Sequence, residues 1–526
     1  MDLIVAGFPI ILLVYMMTKK NSVPSHVALP LTAALIYGIK LIYFGHNPNL
    51  INATVVNGLL TAWTPILIIW GAILLFKTME HSGGMDIIRV WLNTISSNRI
   101  AQLMIIGWAF AFLIEGASGF GTPPALAAPI LVGLGFAPLK AAILCLMMNT
   151  VPVSFGAVGT PTWFGFGELG LDKNLILDIS FYSALMNALA ALFIPLIALR
   201  FVVTWREIKQ NLVFIYLSII SCVLPYVLLA KYNYEFPAIV GGMIGLLASI
   251  LLSKKGIGLA PEPDQQENKA PSMPAKKLII ALFPLWGTII VLLLTRIEEL
   301  GLKDFLMDAT PVYKTALGSF ADFTVSSSLV VGLKNIFGSE SIWEYQTLYV
   351  PALIPFFFIS FISFAIYKLS KPVMRQIASE SYDRMKKPIL ALLGALVMVK
   401  LMMVGGDKSS VMLIGSAFAG AAGERWQFFA SYLGAVGSFF SGSATISNLT
   451  FSGIQNSIAQ NLGLDRTIIL SAQSVGGAMG NMVSINNIVA VCSILGIINK
   501  EGAILKKTFL PTILYGVIAA IAGYIL

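Results

Sequence analysis

The stretch IEGASGFGTPPALAAP, residues 114–129, decides the fold class of this chain. The run that leads into it, MIIGWAFAFLI (104–114), is apolar enough to form most of a transmembrane helix. Glu115 then interrupts this run, and three glycines and two adjacent prolines follow it. An ionisable group and unpaired backbone groups are tolerated at membrane depth only where protein or water surrounds them. The stretch therefore predicts a helix that breaks inside a membrane-embedded bundle.

The composition of the whole chain supports this prediction. Of its 526 residues, 57% are hydrophobic and 11% are charged, and the mean hydropathy is +0.84. Soluble domains carry about 25% charged residues. Apolar runs of about 17–22 residues recur along the chain, each long enough to cross a hydrocarbon core of about 30 Å. We expect an all-α polytopic membrane protein with about 12–14 transmembrane segments, because a transmembrane β-barrel would show short alternating segments instead.

Several function classes find no support in the sequence. The net charge of +9 comes from Lys and Arg in short loops, as in membrane proteins, rather than from a nucleic-acid-binding surface. No phosphate-binding loop or dinucleotide fingerprint follows a strand pattern, so nothing suggests an ATP-driven pump or a bound nucleotide cofactor. The three cysteines, Cys145, Cys222 and Cys492, lie in apolar segments without the spacing of metal ligands. We expect no metal, no cofactor and no catalytic residue.

The distribution of positive charge predicts the topology. Placing every basic loop in the cytoplasm gives one consistent path with the N-terminus outside, in the cell membrane. The first apolar segment is expected to be a retained helix, since no basic region precedes it. The cytoplasmic loops would be 19–20, 77–99, 200–209, 254–277 and 368–387. Most of the segment 254–277, GLAPEPDQQENKAPSMPAKK (258–277), is rich in Pro, Gln and charge, as in a flexible linker.

An internal repeat predicts the architecture. GAILLFKTM (71–79) matches GALVMVKLM (394–402) at an offset of 323 residues, and NTVPVSFG (149–156) aligns with QSVGGAMG (473–480) at an offset of 324. Loop charge gives the two copies opposite orientations across the membrane. Inverted repeats with interrupted helices are typical of secondary transporters, which bind substrate between the copies.

These observations divide the chain into four predicted parts. They are N-terminal transmembrane helices (1–56), repeat 1 (57–205), intervening scaffold helices (206–383) and inverted repeat 2 (384–526). Each repeat contains a predicted re-entrant hairpin, at 116–134 and at 441–462, and a further break, at 152–163 and at 476–487. Glycines there permit positive φ, and helix N-termini attract anions. The four breaks would line a cavity for a small anion, although small-residue clusters can also serve helix packing alone.

Glu115 is the candidate for carrying a proton. A carboxyl group at this depth should face the bundle interior and exchange a proton with its surroundings. The alternative is a structural carboxyl group that accepts hydrogen bonds from the hairpin backbone. The equivalent position of the second copy is Ser438, so a proton role would belong to one half.

Other ionisable residues are weaker candidates, because each is explained as well by an interface or a loop. They are Lys77 and Lys400, which are repeat-equivalent, Lys140 and Arg466, which each follow a hairpin, and Asp322, Asp407 and His81.

With these motifs the chain resembles the bacterial and archaeal lactate permease family, which carries L-lactate, D-lactate and glycolate together with protons. The resemblance is in IEGASGFGTP (114–123), WTPILIIWGAILLFKTMEHSGG (63–84), GSFFSGSATISNLTFS (437–452) and AQSVGGAMGNMVSINNIVAV (472–491). The chain departs from the family at Ala444, where Asn is frequent, and at Ile485-Asn486-Asn487, where IHN is frequent. The wider superfamily implies a transport domain that moves against a scaffold, as in an elevator, and a homodimer.

The function that the resemblance implies is proton-coupled symport of lactate and glycolate, with no enzymatic activity. The carboxylate would bind at the hairpin N-termini, and amides would recognise the 2-hydroxyl group because they both donate and accept. The candidate substrate-binding residues are Ser118, Gly119, Phe120, Gly121, Thr122, Asn149, Ser441, Gly442, Ser443, Thr445, Asn448, Gln473 and Asn481. The alternatives are a sodium-coupled di- or tricarboxylate carrier of the same architecture, an anion channel or sensor, and a membrane-embedded enzyme.

Overall fold

The structure, a computed structural model, describes residues 1–18, 23–119, 121–260, 274–295, 300–350, 353–497 and 500–526. Contacts divide the chain into two compact units. The first unit contains Met1–Met85 and Ile279–Ala417, and the second contains Asp86–Leu278 and Phe418–Leu526. Most of the predicted loop 254–277 lies outside the described residues. The repeat-based division of the chain stays a prediction.

Helices long and apolar enough to cross a membrane dominate the described residues, as the composition predicted. Eight qualify by length and composition, or up to ten if each of two bent pairs is one span. This is fewer than 12–14, because breaks cut other apolar segments into shorter helices such as Thr122–Gly133 and Leu353–Ile366. The eight are Ser25–Ile42, Pro48–His81, Arg99–Ser118, Lys173–Arg200, Leu212–Ala230, Pro237–Lys254, Arg466–Cys492 and Glu501–Ile525.

The first unit combines helices with a small sheet. Its helices are Asp2–Thr18, Ser25–Ile42, Pro48–Thr61, Trp63–His81, Phe283–Leu294, Leu302–Met307, Leu353–Phe358, Ile359–Ile366 and Lys371–Met403. Three further helices contain the points where the chain passes between units: Gly84–Asn93, Ala275–Ala281 and Ser410–Ala422. The long helix Lys371–Met403 begins in a polar segment and ends in an apolar one, which packs against Ser25–Ile42 where Gly394 meets the backbone of Pro30.

The sheet of the first unit was not predicted from the sequence. Strands β1 (Pro311–Ala316), β2 (Asp322–Ser326), β3 (Val330–Lys334) and β4 (Trp343–Gln346) form an antiparallel meander in the order β1-β2-β3-β4. Leu333 and Ile336 pack with Ala53 of helix Pro48–Thr61, which anchors the sheet to the helices. The local signal was present, because β-branched and aromatic residues alternate with turn-forming Gly, Asn and Ser between 311 and 346.

The second unit holds the breaks that the sequence predicted. Its elements are Arg99–Gln102, Leu103–Phe110, Ala111–Ser118, Thr122–Gly133, Pro138–Met148, Val151–Phe155, Gly156–Trp163, Gly167–Leu169, Lys173–Ala191, Ile194–Arg200, Trp205–Gln210, Leu212–Ala230, Pro237–Lys254, Gly423–Phe428, Ala430–Ser441, Ala444–Leu462, Arg466–Met479, Gly480–Val483, Ile485–Ile494 and Glu501–Ile525.

Two helix reversals organise this unit. Hairpin 1 consists of Arg99–Ser118 and Thr122–Gly133, and hairpin 2 of Ala430–Ser441 and Ala444–Leu462. In hairpin 2 the Ser447 hydroxyl donates to the carbonyl oxygen of Gly434 on the opposite arm, at 2.6 Å. The described turn residues are Gly119 and Gly121 in hairpin 1, and Gly442 and Ser443 in hairpin 2, near the N-terminal ends of the two ranges predicted as hairpins.

Glycine is required at both turns. Gly119 has φ 59° and ψ −155°, a combination that is open essentially to glycine alone. Gly121 and Gly442 lie in the left-handed region, with φ of 73° and 75°. Pro123 and Pro124 then lie in the first turn of the returning helix, where the backbone N–H groups that they lack have no helical partner.

The other two predicted breaks are present as well. A 3₁₀ turn, Val151–Phe155, ends at Gly156, and Ala157, Val158 and Gly159 then have φ of 44°, 59° and 69°. Left-handed conformations at Ala and Val are unfavourable and persist only where the surroundings enforce them. All three residues are buried. In the second break another 3₁₀ turn, Gly480–Val483, precedes helix Ile485–Ile494.

Close helix packing supports hairpin 1 from one side. A Cβ atom at Gly116 would lie 2.5 Å from the backbone nitrogen of Ile239, and one at Gly242 would meet the backbone of Leu113. Glycine on each helix therefore allows the backbones of hairpin 1 and Pro237–Lys254 to approach closely, as small residues do in membrane bundles.

Candidate functional site

The four breaks of the second unit meet around one small cavity. Its volume is about 10 Å³ when only the space open to a water molecule is counted. The space is narrow and admits about one water molecule. The lining residues come from both hairpin turns and both further breaks: Glu115, Gly119, Val153, Gly156, Ala157, Pro161, Gly442, Ser443, Ala444, Thr445 and Asn481.

Glu115 is the one carboxylate that lines this cavity among the described residues. Its side chain is 2% exposed. Its Oε2 accepts a hydrogen bond from Asn149 Nδ2 at 2.9 Å. Its Oε1 lies against Gly156, so close that a Cβ atom there would collide with it. The position of the carboxylate is thus fixed by an amide on one side and by a glycine backbone on the other.

Asn149 has a free acceptor beside this carboxylate. It ends helix Pro138–Met148 and is buried. Its Oδ1 has no hydrogen-bond partner among the residues that the structure describes. A buried acceptor without a partner is uncommon and suggests a site that a ligand or water completes. An amide also offers a donor and an acceptor to whichever form of a carboxyl group lies beside it.

A helix N-terminus faces the cavity from hairpin 2. Ser443 caps helix Ala444–Leu462, and its hydroxyl accepts a hydrogen bond from the N–H of Ile446 at 3.3 Å. Ser443, Ala444 and Thr445 all line the cavity. The first N–H groups of a helix lack helical partners and carry a partial positive charge, so this end attracts an anion. The part of the cavity at the start of helix Ala444–Leu462 is therefore suited to negative charge.

Asn481 lines the cavity from the 3₁₀ turn Gly480–Val483. Its Oδ1 accepts a hydrogen bond from Asn487 Nδ2. With its oxygen engaged in this way, the Asn481 amide has its NH₂ group left for the cavity, and this group only donates.

Several predicted residues of the turns do not line the cavity. The hydroxyl of Ser118 donates to the carbonyl oxygen of Ile114 at 2.9 Å, and that of Ser441 donates to Gly437 at 2.8 Å. Both hydroxyls bond back to their own helices, as Ser often does four residues after a carbonyl. Gly121 and Thr122 are not among the lining residues, and Phe120 lies outside the described residues.

Asn448 and Gln473 belong to a buried chain of side-chain amides instead. Gln473 Nε2 donates to Asn448 Oδ1 at 3.3 Å, and Asn448 Nδ2 donates to the Pro161 carbonyl oxygen at 2.9 Å. Gln473 Oε1 accepts from Gln455 Nε2 at 3.1 Å, and Gln455 Oε1 accepts from Trp426 Nε1 at 2.7 Å. This chain joins hairpin 2 to the break that carries Pro161.

The sequence did not identify five of the residues that line the cavity, because each is Gly, Pro or an apolar residue without a functional group in its side chain. They are Val153, Gly156, Ala157, Pro161 and Ala444. One signal was available, because Gly156 aligns with Gly480 in the repeat. A Cβ atom at Gly156 would collide with Glu115, and one at Gly480 would collide with the hydroxyl of Ser438. The same contact therefore recurs at repeat-equivalent positions, a carboxylate in one copy and a hydroxyl in the other.

The weaker ionisable candidates of the second unit do not line the cavity. Lys140 is exposed, and Arg466 Nε donates to Asn456 Oδ1 at 2.8 Å.

The remaining candidates belong to the first unit. Lys77 bridges Glu80 and Glu380, each at 2.8 Å, and His81 contacts Glu380 at 3.0 Å. Lys77, and after it His81, hold the pKa of the Glu380 carboxyl group at about 2. Asp322 accepts from Asn335 at 2.6 Å. Lys400 is half-buried in helix Lys371–Met403, and the side chain of Asp407 lies outside the described residues.

Membrane-length helices, two helix reversals and a buried polar cavity at their turns are features of a multi-pass membrane transporter. The chain belongs to the L-lactate permease family, whose model matches residues 2–526. This match confirms the resemblance seen in the sequence motifs.

Named relatives match over nearly the whole chain. A Haemophilus influenzae protein named "Putative L-lactate permease" is 52% identical over 100% of this chain and 98% of its own length. The Escherichia coli glycolate permease GlcA is 25% identical over 95% of this chain and 92% of its own. Among solved structures, the Alcanivorax borkumensis YdaH transporter gives a TM-score of 0.45 at 13% identity, covering 98% of both chains.

Proposed function

We propose that this chain is a proton-coupled symporter that carries lactate and glycolate across the cell membrane. The observation that carries the proposal is the buried carboxylate of Glu115 at a cavity that a helix N-terminus also lines. The names of the relatives, L-lactate permease and glycolate permease, supply the substrate class. Coupling of transport to a proton is the part of the proposal that depends on Glu115.

The substrate carboxylate would bind at the start of helix Ala444–Leu462. The N–H groups of Ala444 and Thr445, the Thr445 hydroxyl and the Asn481 NH₂ group are the donors available there. No Lys or Arg is among the described residues that line the cavity. Without a fixed positive charge the site suits one carboxylate rather than two or three, which favours a monocarboxylate.

Proton coupling follows from the negative charges that would share this cavity. Two unit charges about 4–8 Å apart repel by roughly 2–4 kcal/mol at an effective dielectric constant of 20. That repulsion corresponds to a difference of roughly 30-fold to 1,000-fold in affinity. The anion therefore binds better when Glu115 holds a proton, and by reciprocity the proton binds better when the anion is present.

Asn149 would serve both forms of the carboxyl group. The charged form accepts a hydrogen bond from Asn149 Nδ2, as observed. The protonated form becomes a donor, and the unpartnered Asn149 Oδ1 can accept from it after the amide turns over. Asn149 can then pair with the Glu115 carboxyl group in either protonation state, which keeps both states accessible during transport.

A transport cycle requires the cavity to enlarge, because a lactate molecule is larger than the single water that the cavity admits. We propose that the hairpin turns separate to admit substrate and close over it. Asn448 and Gln473 would then support hairpin 2 rather than contact substrate. The proposal also includes the inverted orientation of the repeats, an N-terminus outside the cell and a homodimer, as the sequence and the family resemblance suggest.

The test is uptake of labelled L-lactate by proteoliposomes with an inward proton gradient and no sodium. We expect accumulation that a protonophore abolishes. Glu115→Gln should abolish accumulation driven by the pH gradient and retain part of the lactate exchange, because a neutral amide still permits anion binding. Glu424→Gln, which changes an exposed carboxylate, is the matched control and should behave as the wild type.

Two results would overturn the proposal. Normal pH-driven accumulation by Glu115→Gln would make Glu115 a structural residue. Absence of lactate uptake, with uptake of a dicarboxylate once sodium is added, would replace both the substrate and the coupling ion.

A further inference from the structure

The segment Ser484–Asn487 lies between the turns of the two hairpins. It joins the 3₁₀ turn Gly480–Val483 to helix Ile485–Ile494. Two consecutive asparagines at the start of that helix, Asn486 and Asn487, contact different turns. Neither residue lines the cavity itself.

Asn486 holds the turn of hairpin 2. Its Nδ2 donates to the carbonyl oxygen of Ser441 at 3.0 Å. A Cβ atom at Gly442 would lie 3.1 Å from Cβ of Asn486 and 3.2 Å from the Ser484 hydroxyl oxygen. The left-handed glycine of this turn is therefore in close contact with the segment that carries the asparagines.

Asn487 lies against the turn of hairpin 1. A Cβ atom at Gly121 would lie 2.7 Å from Asn487 Oδ1, so a glycine is needed there for a second reason besides its positive φ. On its other side Asn487 Nδ2 donates to Oδ1 of the cavity residue Asn481. The buried Asn487 amide thus contacts the turn of hairpin 1 and orients the amide of Asn481, which lines the cavity.

We propose that Asn486 and Asn487 act together as a latch that holds both hairpin turns closed over the cavity, and that Asn487 also sets the polarity of the site. By donating to Asn481 Oδ1, Asn487 leaves the NH₂ group of Asn481 facing the substrate carboxylate. Both asparagines are positioning residues. The role of Asn487 toward substrate rests on the proposed function, whereas the latch itself does not.

The latch makes separate predictions for the two turns. Asn486→Ala removes a hydrogen bond to hairpin 2 only, so amide hydrogen exchange should accelerate about fivefold or more in peptides spanning 439–446. Exchange in peptides spanning 116–124 should not change. Asn487→Ala should accelerate exchange in the 116–124 peptides instead. The full-length protein in detergent is the sample for this measurement, and it needs no substrate.

The polarity of the site is tested with an isosteric change. Asn487→Asp keeps the shape against Gly121 but replaces the donor with an acceptor, so the Asn481 amide should turn and present its oxygen to the cavity. We expect the KM for L-lactate uptake to rise about tenfold or more, with a smaller change in kcat. For the exchange measurement, Asn174→Ala is the control matched to Asn486→Ala, because Asn174 is an exposed second residue of its helix, as Asn486 is.

Unchanged exchange at both turns in the alanine variants would overturn the latch. An unchanged KM in Asn487→Asp, alongside wild-type lactate uptake, would overturn the polarity role. A wild-type protein that takes up no lactate would refute the proposed function, and the exchange data would still decide the latch.

Discussion

Gly156→Ala is the sharpest perturbation that the structure offers for the Glu115 carboxylate. The backbone of Gly156 has φ −61° and ψ 155°, which any residue adopts without strain. The added Cβ atom, however, would collide with Glu115 Oε1 and lie 3.2 Å from its Cδ. Since the obstacle is the end of a side chain rather than backbone, the carboxylate should move and the fold should remain.

The size of the effect follows from the contact that is lost. Moving the carboxylate away from Gly156 disturbs its 2.9 Å hydrogen bond with Asn149 Nδ2. Hydrogen bonds to charged groups contribute about 1.5–3 kcal/mol, which corresponds to a factor of roughly 10–150. We expect pH-driven lactate uptake to fall by a factor in this range and its dependence on external pH to change.

The assay is the initial rate of L-lactate uptake by proteoliposomes at several external pH values. The control is Gly133→Ala, at the end of the returning arm of hairpin 1, where a Cβ atom would meet nothing within 4 Å. A double-mutant cycle with Glu115→Asp tests the mechanism, because the shorter side chain leaves room for the new methyl group. Adding Gly156→Ala to Glu115→Asp should then cause little further loss.

Wild-type rates and pH dependence in Gly156→Ala would refute the reasoning, because the carboxylate could not then lie where the structure places it. Strictly additive effects in the cycle would also refute it, since they would show that the two positions act independently.

Two further predictions concern stability. The pKa of Glu380 is held at about 2, below its ordinary 4.5, so its ion pair with Lys77 and its hydrogen bond with His81 stabilise the fold above pH 4.5 and lose this effect as the pH falls toward 2. Because the Glu380 side chain is 34% exposed, screening by solvent reduces its contribution to about 1 kcal/mol. Glu380→Gln should therefore lower the unfolding temperature at pH 7, and the difference from the wild type should vanish near pH 2. The control is Glu344→Gln, in the exposed pair with Lys334, which should leave the unfolding temperature unchanged at both pH values. Asn448→Leu should leave the Pro161 carbonyl oxygen without its partner, remove one of the acceptors of Gln473 Nε2, and destabilise the protein by roughly 2–4 kcal/mol. Thermal unfolding in detergent would show this loss, while the KM for lactate stays within about twofold. A tenfold higher KM with normal stability would instead place the Asn448 amide on the substrate.

The sequence alone determined the membrane character of this chain and the positions of its breaks. Length and hydropathy of a run are local properties, so spans such as Pro237–Lys254 can be predicted without tertiary information. The turns at Gly119 and Gly442 were predictable for a similar reason, because glycine, proline and hydroxyl residues act on their own backbone. Glu115 was identifiable because a carboxyl group in an apolar run has few structural explanations. The small sheet also left a local signal, which the dominance of helical segments obscured.

Only the tertiary structure decided which side chains meet at the cavity. A hydroxyl beside a helix break can face a ligand or bond back to its own carbonyl, and Ser118 does the latter while Ser443 caps a helix at the cavity. An amide in a buried segment can likewise serve either role: Asn481 lines the cavity, Asn149 bonds the Glu115 carboxylate that lines it, and Asn448 joins two segments of the fold. These choices depend on distances between elements that are remote in sequence, so the order of residues along the chain does not contain them.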